Sequence, residues 1–176
     1  MILIAKNDTG IQASVFFKHD TVFLNLINDS ARRIRTIIQS AEDFDTLKMS
    51  LSDREWYEEN IQVITDELYK IVSAYIKGNE LGYNPNVNIT ENEIDIGKHV
   101  TYLLDIPDFD YNSKNELENQ MYKFIKTGIM SLWFNELNNP VLFQIMETEN
   151  MKHAENIHSI LLRRVNPIRR MMNHFP

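Results

Sequence analysis

Tyr57, Ile61, Ile64, Leu68, Ile71 and Tyr75 recur at steps of 4-3-4-3-4, and this spacing constrains the fold more than any other feature of the chain. Alternation would read as a strand; a mean step near 3.5 puts all six side chains along one line of a helix. Such an a/d seam leaves an apolar ridge that needs a partner helix. Trp56, Val72 and Ile76 widen it into a core-facing stripe. Ser52-Asp53-Arg54-Glu55 reads as the capping box that opens the helix, Ser52 accepting from the Glu55 amide and Glu55 reaching back to the Ser52 amide. Gly78 suits the C′ position. The helix should therefore run for about 25 residues, ~37 Å at 1.5 Å per residue.

Three further helices are expected. Residues from about Asp20 to Ser40 carry Phe23, Ile27, Ile34 and Ile38 at roughly helical spacing, with Asp20 as a cap. A kink or break is expected at Asn28-Asp29-Ser30, where the pattern loosens. A second capping box, Ser113-Lys114-Asn115-Glu116, opens a helix whose inward stripe is Leu117, Met121, Phe124, Ile125, Ile129, Leu132 and Trp133. Gly128 in its middle costs about 1 kcal/mol relative to Ala, which a close helix contact there would offset. Asn138-Asn139-Pro140 then reads as stop, cap and N1 proline. The last helix should run from about Pro140 to Arg164, with Leu142, Ile145, Met146, Ala154, Ile157 and Leu161 inward, and end at Asn166-Pro167.

Between the second and third helices the period changes. Val87, Ile89, Ile94 and Ile96 alternate with polar neighbours, as do Val100, Tyr102, Leu104 and Ile106. Gly97-Lys98 suits a tight turn between the last two runs, and Pro107 stops the second. A short apolar run before Gly10 reads as an edge strand. The fold class that follows is mainly α: a bundle of long amphipathic helices with one inserted β-hairpin near 86–106 and an extended basic C-terminal tail. Residues 1–166 form a single helical domain in this reading, and 167–176 a docking tail.

The chain has no cysteine, which removes disulfides, thiol catalysis and thiolate metal sites and fits a reducing compartment. The N-terminal apolar run lacks a basic region and is too short for a signal peptide, and no stretch approaches the ~20 apolar residues of a membrane span. A soluble protein made in the cytoplasm, with no membrane partner, is the expectation. Phosphate-binding and dinucleotide-binding glycine motifs and the nucleophile elbow are all missing from the sequence. Glu155 and His158 have the E-x-x-H spacing of di-iron helices, but those sites need a second copy and two further glutamates. A helical-bundle metalloprotein using Glu155 and His158 is thus the alternative, and an exposed polar face the simpler reading. Glu149 and His153 stand four apart and suit a surface pair. Asp105, Asp108 and Asp110 read as a turn and helix lead-in. Trp56, Trp133 and Phe134 at helical spacing read as core. No cofactor and no enzymatic activity are expected.

The net charge is −7, although four arginines and no acidic residue follow Glu155. The acidic remainder argues against wrapping nucleic acid with the main surface. Arg163, Arg164, Arg169 and Arg170 fall in two pairs around Asn166-Pro167, with Ile168, Met171 and Phe175 as apolar anchors. Guanidinium forks match carboxylates and phosphates, so these seven residues are the expected partner-binding site. Partner docking by a small regulatory module is a further alternative.

Taken together, the capped helix with Trp56, the segment Tyr102-Leu103-Leu104-Asp105-Ile106-Pro107, the helix with Ile129-Met130-Ser131-Leu132-Trp133-Phe134, and the ending Ile160-Leu161-Leu162-Arg163-Arg164-Val165-Asn166-Pro167-Ile168-Arg169-Arg170 form a familiar series. It resembles small virion proteins encoded beside head and tail genes in tailed phages and prophages of gut Bacteroides, crAss-like phages included. The resemblance covers roughly residues 50–170 and points to a head–tail connector, or neck ring, protein. It implies a helical subunit of a homo-oligomeric ring around the portal axis, a dodecamer, located at the head–tail junction of the virion. It also implies docking on the portal and other neck or tail proteins through terminal segments, with the basic tail meeting an acidic protein surface or DNA in the channel.

Overall fold

A computed structural model describes residues 2–7, 10–15, 19–37, 41–75, 83–84, 101–106 and 109–163. The described chain is mainly helical: α1 (His19–Ile37), α2 (Ala41–Leu47), α3 (Arg54–Val72), α4 (Lys114–Glu136) and α5 (Pro140–Leu161). The strands β1 (Ile2–Asn7), β2 (Gly10–Val15), β3 (Tyr83–Asn84) and β4 (Thr101–Ile106) form an antiparallel sheet in the order β1-β2-β4-β3. The edge strand expected before Gly10 is β1, and Gly10 itself opens β2. The run ending at Ile106 is β4, but its partners are β2, with Ile11 opposite Ile106, and β3, with Tyr83 opposite Tyr102. The tight turn expected at Gly97-Lys98 and the run Val87–Ile96 lie outside the described residues, as do Gly78 and 164–176.

The core is built around α4. From Phe124 to Phe134 every residue of that helix is buried except Lys126 and Leu132, which are half-buried. A helix buried on all sides needs neighbours on all sides, and α1, α3 and α5 supply them. Beyond the expected stripe, Thr127, Met130, Ser131 and Phe134 are therefore buried as well. The seam of α3 starts as expected with Tyr57, Ile61, Ile64 and Leu68 and then passes to Val72, leaving Ile71 and Tyr75 half-buried. A straight helix drifts off a 3.5-residue repeat in this way.

Gly128 is the point of closest approach. A Cβ there would stand 2.9 Å from both Cδ1 and Cγ2 of Ile64 on α3. The missing methyl lets the two helices meet, which offsets the helix-propensity cost of glycine.

Both expected capping boxes are displaced. Ahead of α3 a 3-10 turn, Leu51–Asp53, intervenes. Its box is Ser50 and Asp53: the Ser50 amide donates to Asp53 Oδ2 at 2.7 Å, and the Ser50 hydroxyl lies 2.9 Å from the same oxygen. Ser52 is left exposed, its hydroxyl 2.6 Å from that of Ser50. Ahead of α4 the 3-10 turn Tyr111–Ser113 is capped by Asp110, which accepts from the Asn112 amide at 3.1 Å. Asp110 thus acts as the expected lead-in. Glu116 turns away from its box to meet Arg163.

The break expected in α1 does not occur. Ser30 is fully buried, donates to Ile27 O at 3.0 Å and accepts from the Met49 amide at 3.2 Å, and Asp29 pairs with Lys126 of α4. Tertiary partners for both residues keep the helix continuous. The C-terminal end of α2 is held by Trp133, whose indole N–H donates to Leu47 O at 2.8 Å. Trp56 packs edge-on against Trp133, centroids 4.9 Å apart.

The link from α4 to α5 forms as read from sequence. Asn138 adopts φ 52°, the left-handed conformation. The Asn139 amide donates to Phe134 O at 2.9 Å and the Asn138 amide to Asn135 O at 3.0 Å, the two bonds of a Schellman motif. The Asn139 side chain then accepts from the Leu142 amide at 3.0 Å, with Pro140 opening α5.

Two consequences can be measured by urea or thermal unfolding. Gly128→Ala should lower stability by about 1–2 kcal/mol despite its better helix propensity, because Ile64 has to move. Pairing it with Ile64→Ala should give strongly non-additive losses. Asn138→Ala should cost about 1 kcal/mol, because alanine tolerates positive φ poorly, whereas Asn138→Gly should be neutral or stabilising.

Candidate functional site

Of the expected partner-binding residues, the structure describes Arg163. It follows α5, and its guanidinium grips the carboxylate of Glu116, at the start of α4, with contacts of 2.5 and 3.1 Å. The same carboxylate holds the Arg163 pKa above its ordinary value, chiefly through these hydrogen bonds. Arg163 is thus engaged within its own chain. Arg164, Ile168, Arg169, Arg170, Met171 and Phe175 lie outside the described residues. Glu155 and His158 are both exposed on α5, and among the described residues no group of three metal-ligating side chains forms around them or elsewhere. Trp133 and Phe134 are core, as read from sequence, and Trp56 is half-buried against Trp133.

A second basic feature was not visible in the sequence. A cleft of about 340 Å³ opens between α1, α4 and α5. Arg32 and Arg33 come from α1, Lys123 and Lys126 from α4, and Lys152 from α5, with Asp29 and Glu149 as the only carboxylates among its lining residues. Thr127 and Met130 form its floor. On α4 these positions lie opposite Gly128, so the cleft faces away from α3.

Two of the five cations have carboxylate partners. Arg33 holds Glu149 through a two-point fork of 2.7 and 2.6 Å, and Lys126 pairs with Asp29. Glu149 therefore crosses to α1 instead of meeting His153. No ion pair joins Arg32, Lys123 or Lys152 to a carboxylate among the described residues, and all three are exposed. The exposed side of α3 has the opposite character, with Glu55, Glu58, Glu59, Asp66 and Glu67. Burial, then the neighbouring Glu147, pushes the Glu67 carboxyl up.

His153 lines the cleft, with Nδ1 2.7 Å from Gln120 Oε1. Its pKa lies below the ordinary 6.5, first because burial disfavours the imidazolium, then because Lys123 and more weakly Arg33 repel it, with Glu149 acting the other way. Along the α4–α5 contact, Ser131 meets Glu147 at 2.9 Å and Thr127 Oγ1 lies 2.9 Å from Asn150 Oδ1. Both Thr127 and Asn150 are buried.

The cleft escapes sequence reading because its cations are dispersed over three helices, and each helix alone looks like a solvated face. The only local signals are the adjacent Arg32-Arg33 and the i, i+3 pair Lys123 and Lys126.

No helix among the described residues is long and apolar enough to cross a membrane. Comparison with family models, curated proteins and solved structures finds no match to this chain.

The depressed His153 pKa sets a direction for stability. The unfolded chain takes up the proton first, so stability is complete above about pH 6.5 and falls as pH drops through that value toward the folded pKa. His153→Gln should flatten that part of the profile, measured as urea midpoints between about pH 7.5 and 5.5. An unchanged slope in the variant would place the pH dependence elsewhere.

Proposed function

We propose that this chain is a structural virion protein, a subunit of a head–tail connector or neck ring that docks on a portal assembly and catalyses no reaction. The observation that supports the reading is the clamp between Arg163 and Glu116. It fastens the start of the basic C-terminal segment at the end of the helical body away from the α4–α5 turn, so the remaining arginines leave from a fixed point. Arg164, Arg169 and Arg170 then supply guanidinium forks, and Ile168, Met171 and Phe175 apolar anchors, for a neighbouring surface.

The rest of the reading comes from the resemblance of residues 50–170 to connector proteins. The subunits repeat as a dodecameric ring at the head–tail junction. In this reading the hairpin expected over 86–106 would offer an edge for pairing between subunits, beyond the pairing of β4 with β2 and β3. The basic tail contacts portal or neck protein, with DNA in the channel as the other anionic surface within its chemistry. The body behind the tail fits a building block: its helices are joined by cross-helix ties such as Arg33–Glu149, Trp133–Leu47 and Ser131–Glu147.

Deleting residues 164–176 while keeping Arg163 should leave the circular dichroism spectrum and unfolding midpoint unchanged and abolish co-assembly with the portal complex. Electron microscopy of the assembled particles would show the loss directly. Normal incorporation of the truncated chain would sink the docking role, and loss of binding only in DNA-filled particles would assign the tail to DNA.

A further inference from the structure

We propose that the cleft between α1, α4 and α5 is a binding site for a compact phosphate-bearing anion with two or more negative charges. The argument starts from a local excess of charge. A chain of net charge −7 places five cationic side chains around one opening of about 340 Å³, against two carboxylates. Those two are already committed to Arg33 and Lys126. Arg32, Lys123 and Lys152 approach from three different helices, so the unmatched positive charge surrounds the opening instead of lying along one face.

The chemistry of the ligand follows from that arrangement. A planar carboxylate is satisfied by a single guanidinium fork, as Glu149 is by Arg33. A phosphate offers oxygens in three dimensions and carries more charge, so it makes use of donors converging from several sides. The size is limited by the surroundings. The acidic remainder of the chain repels a long polyanion but not one that fits within the opening. No Phe, Tyr or Trp lines the cleft among the described residues, so it lacks the broad stacking platform of a single-strand binder. The charges around His153 agree: besides burial, the larger cause, Lys123 on α4 and Arg33 on α1 disfavour its charged form, against Glu149 on α5, while Gln120 on α4 holds the ring.

Glu149 occupies the fork that a phosphate would use, and it therefore acts as an internal competitor. Removing its charge frees Arg33, so Glu149→Gln should bind the anion more tightly than the native chain. This distinguishes a ligand site from a merely structural ion pair, whose loss would lower stability and improve no binding.

The test uses the full chain at low salt, titrated with inorganic pyrophosphate and, separately, with a single-stranded oligonucleotide of about 12 nucleotides, which presents the same phosphate chemistry as a polymer. Calorimetry and the His153 imidazole proton resonances are followed together. Saturable 1:1 pyrophosphate binding is expected, with the His153 pKa rising on binding. Affinity should fall about tenfold or more in Lys123→Glu/Lys152→Glu and rise severalfold in Glu149→Gln. Lys70→Glu, an exposed change on α3, should leave it as it was. Circular dichroism confirms that each variant is folded, and the milder Lys123→Gln/Lys152→Gln serves if the reversal is not. No saturation by about 10 mM pyrophosphate, indifference to these substitutions, or tighter binding of the oligonucleotide would each overturn the proposal.

Discussion

Between Phe124 and Phe134, α4 carries side chains on nearly every side that must leave water, and the absence of a side chain at Gly128 lets α3 come close enough to cover one of them. The rest of the architecture depends on that contact. Each large apolar side chain withdrawn from water contributes about 1.5–3 kcal/mol, and the buried set on α4 includes Met121, Phe124, Ile125, Ile129, Met130, Trp133 and Phe134. No single neighbour could cover them. Three helices are needed, and where α1 and α5 flank α4 they leave the basic cleft.

The parts of this arrangement legible in sequence were those whose signal is local. The 4-3-4 spacing of Tyr57, Ile61, Ile64 and Leu68 named the buried face of α3, and Asn138-Asn139-Pro140 named the turn into α5 because left-handed backbone, side-chain cap and fixed φ each belong to one residue type. Gly128 pointed to a close contact without saying with what. Local signals failed where two of them compete. Ser50 with Asp53 and Ser52 with Glu55 satisfy the same box pattern two residues apart. The choice between them depends on context: Arg54 just after Asp53 pairs with Asp20 and Glu58. Asn28-Asp29-Ser30 looked like a break because the apolar spacing loosens there; contacts of Asp29 with Lys126 and of Ser30 with the Met49 amide, neither of them local in sequence, anchor that turn of the helix.

The candidate site divides in the same way. A run of arginines near one end of the chain is visible to any reader of the sequence. The fact that Arg163 meets Glu116 is not, since the two are forty-seven positions apart and Glu116 was needed on paper for a cap. The cleft depends still more on tertiary structure. Arg33 and Glu149 are separated by 116 positions, and their helices meet only because α4 draws both of them in.

One consequence follows from the polar contacts along α4 and α5. Ser131–Glu147, Thr127–Asn150, Gln120–His153 and Glu116–Arg163 run down α4 as they run up α5. Leucine, isoleucine and methionine would tolerate a slip of one turn, ~5.4 Å, with modest loss. These four matches would not, and the slip would strand the buried Asn150 amide at a cost of about 1–3 kcal/mol. The pair of helices is therefore graduated like a ruler. The distance from the Asn138 corner to Arg163 is set by discrete rungs, and whatever follows Arg163 begins at a calibrated height above the opposite end of the bundle.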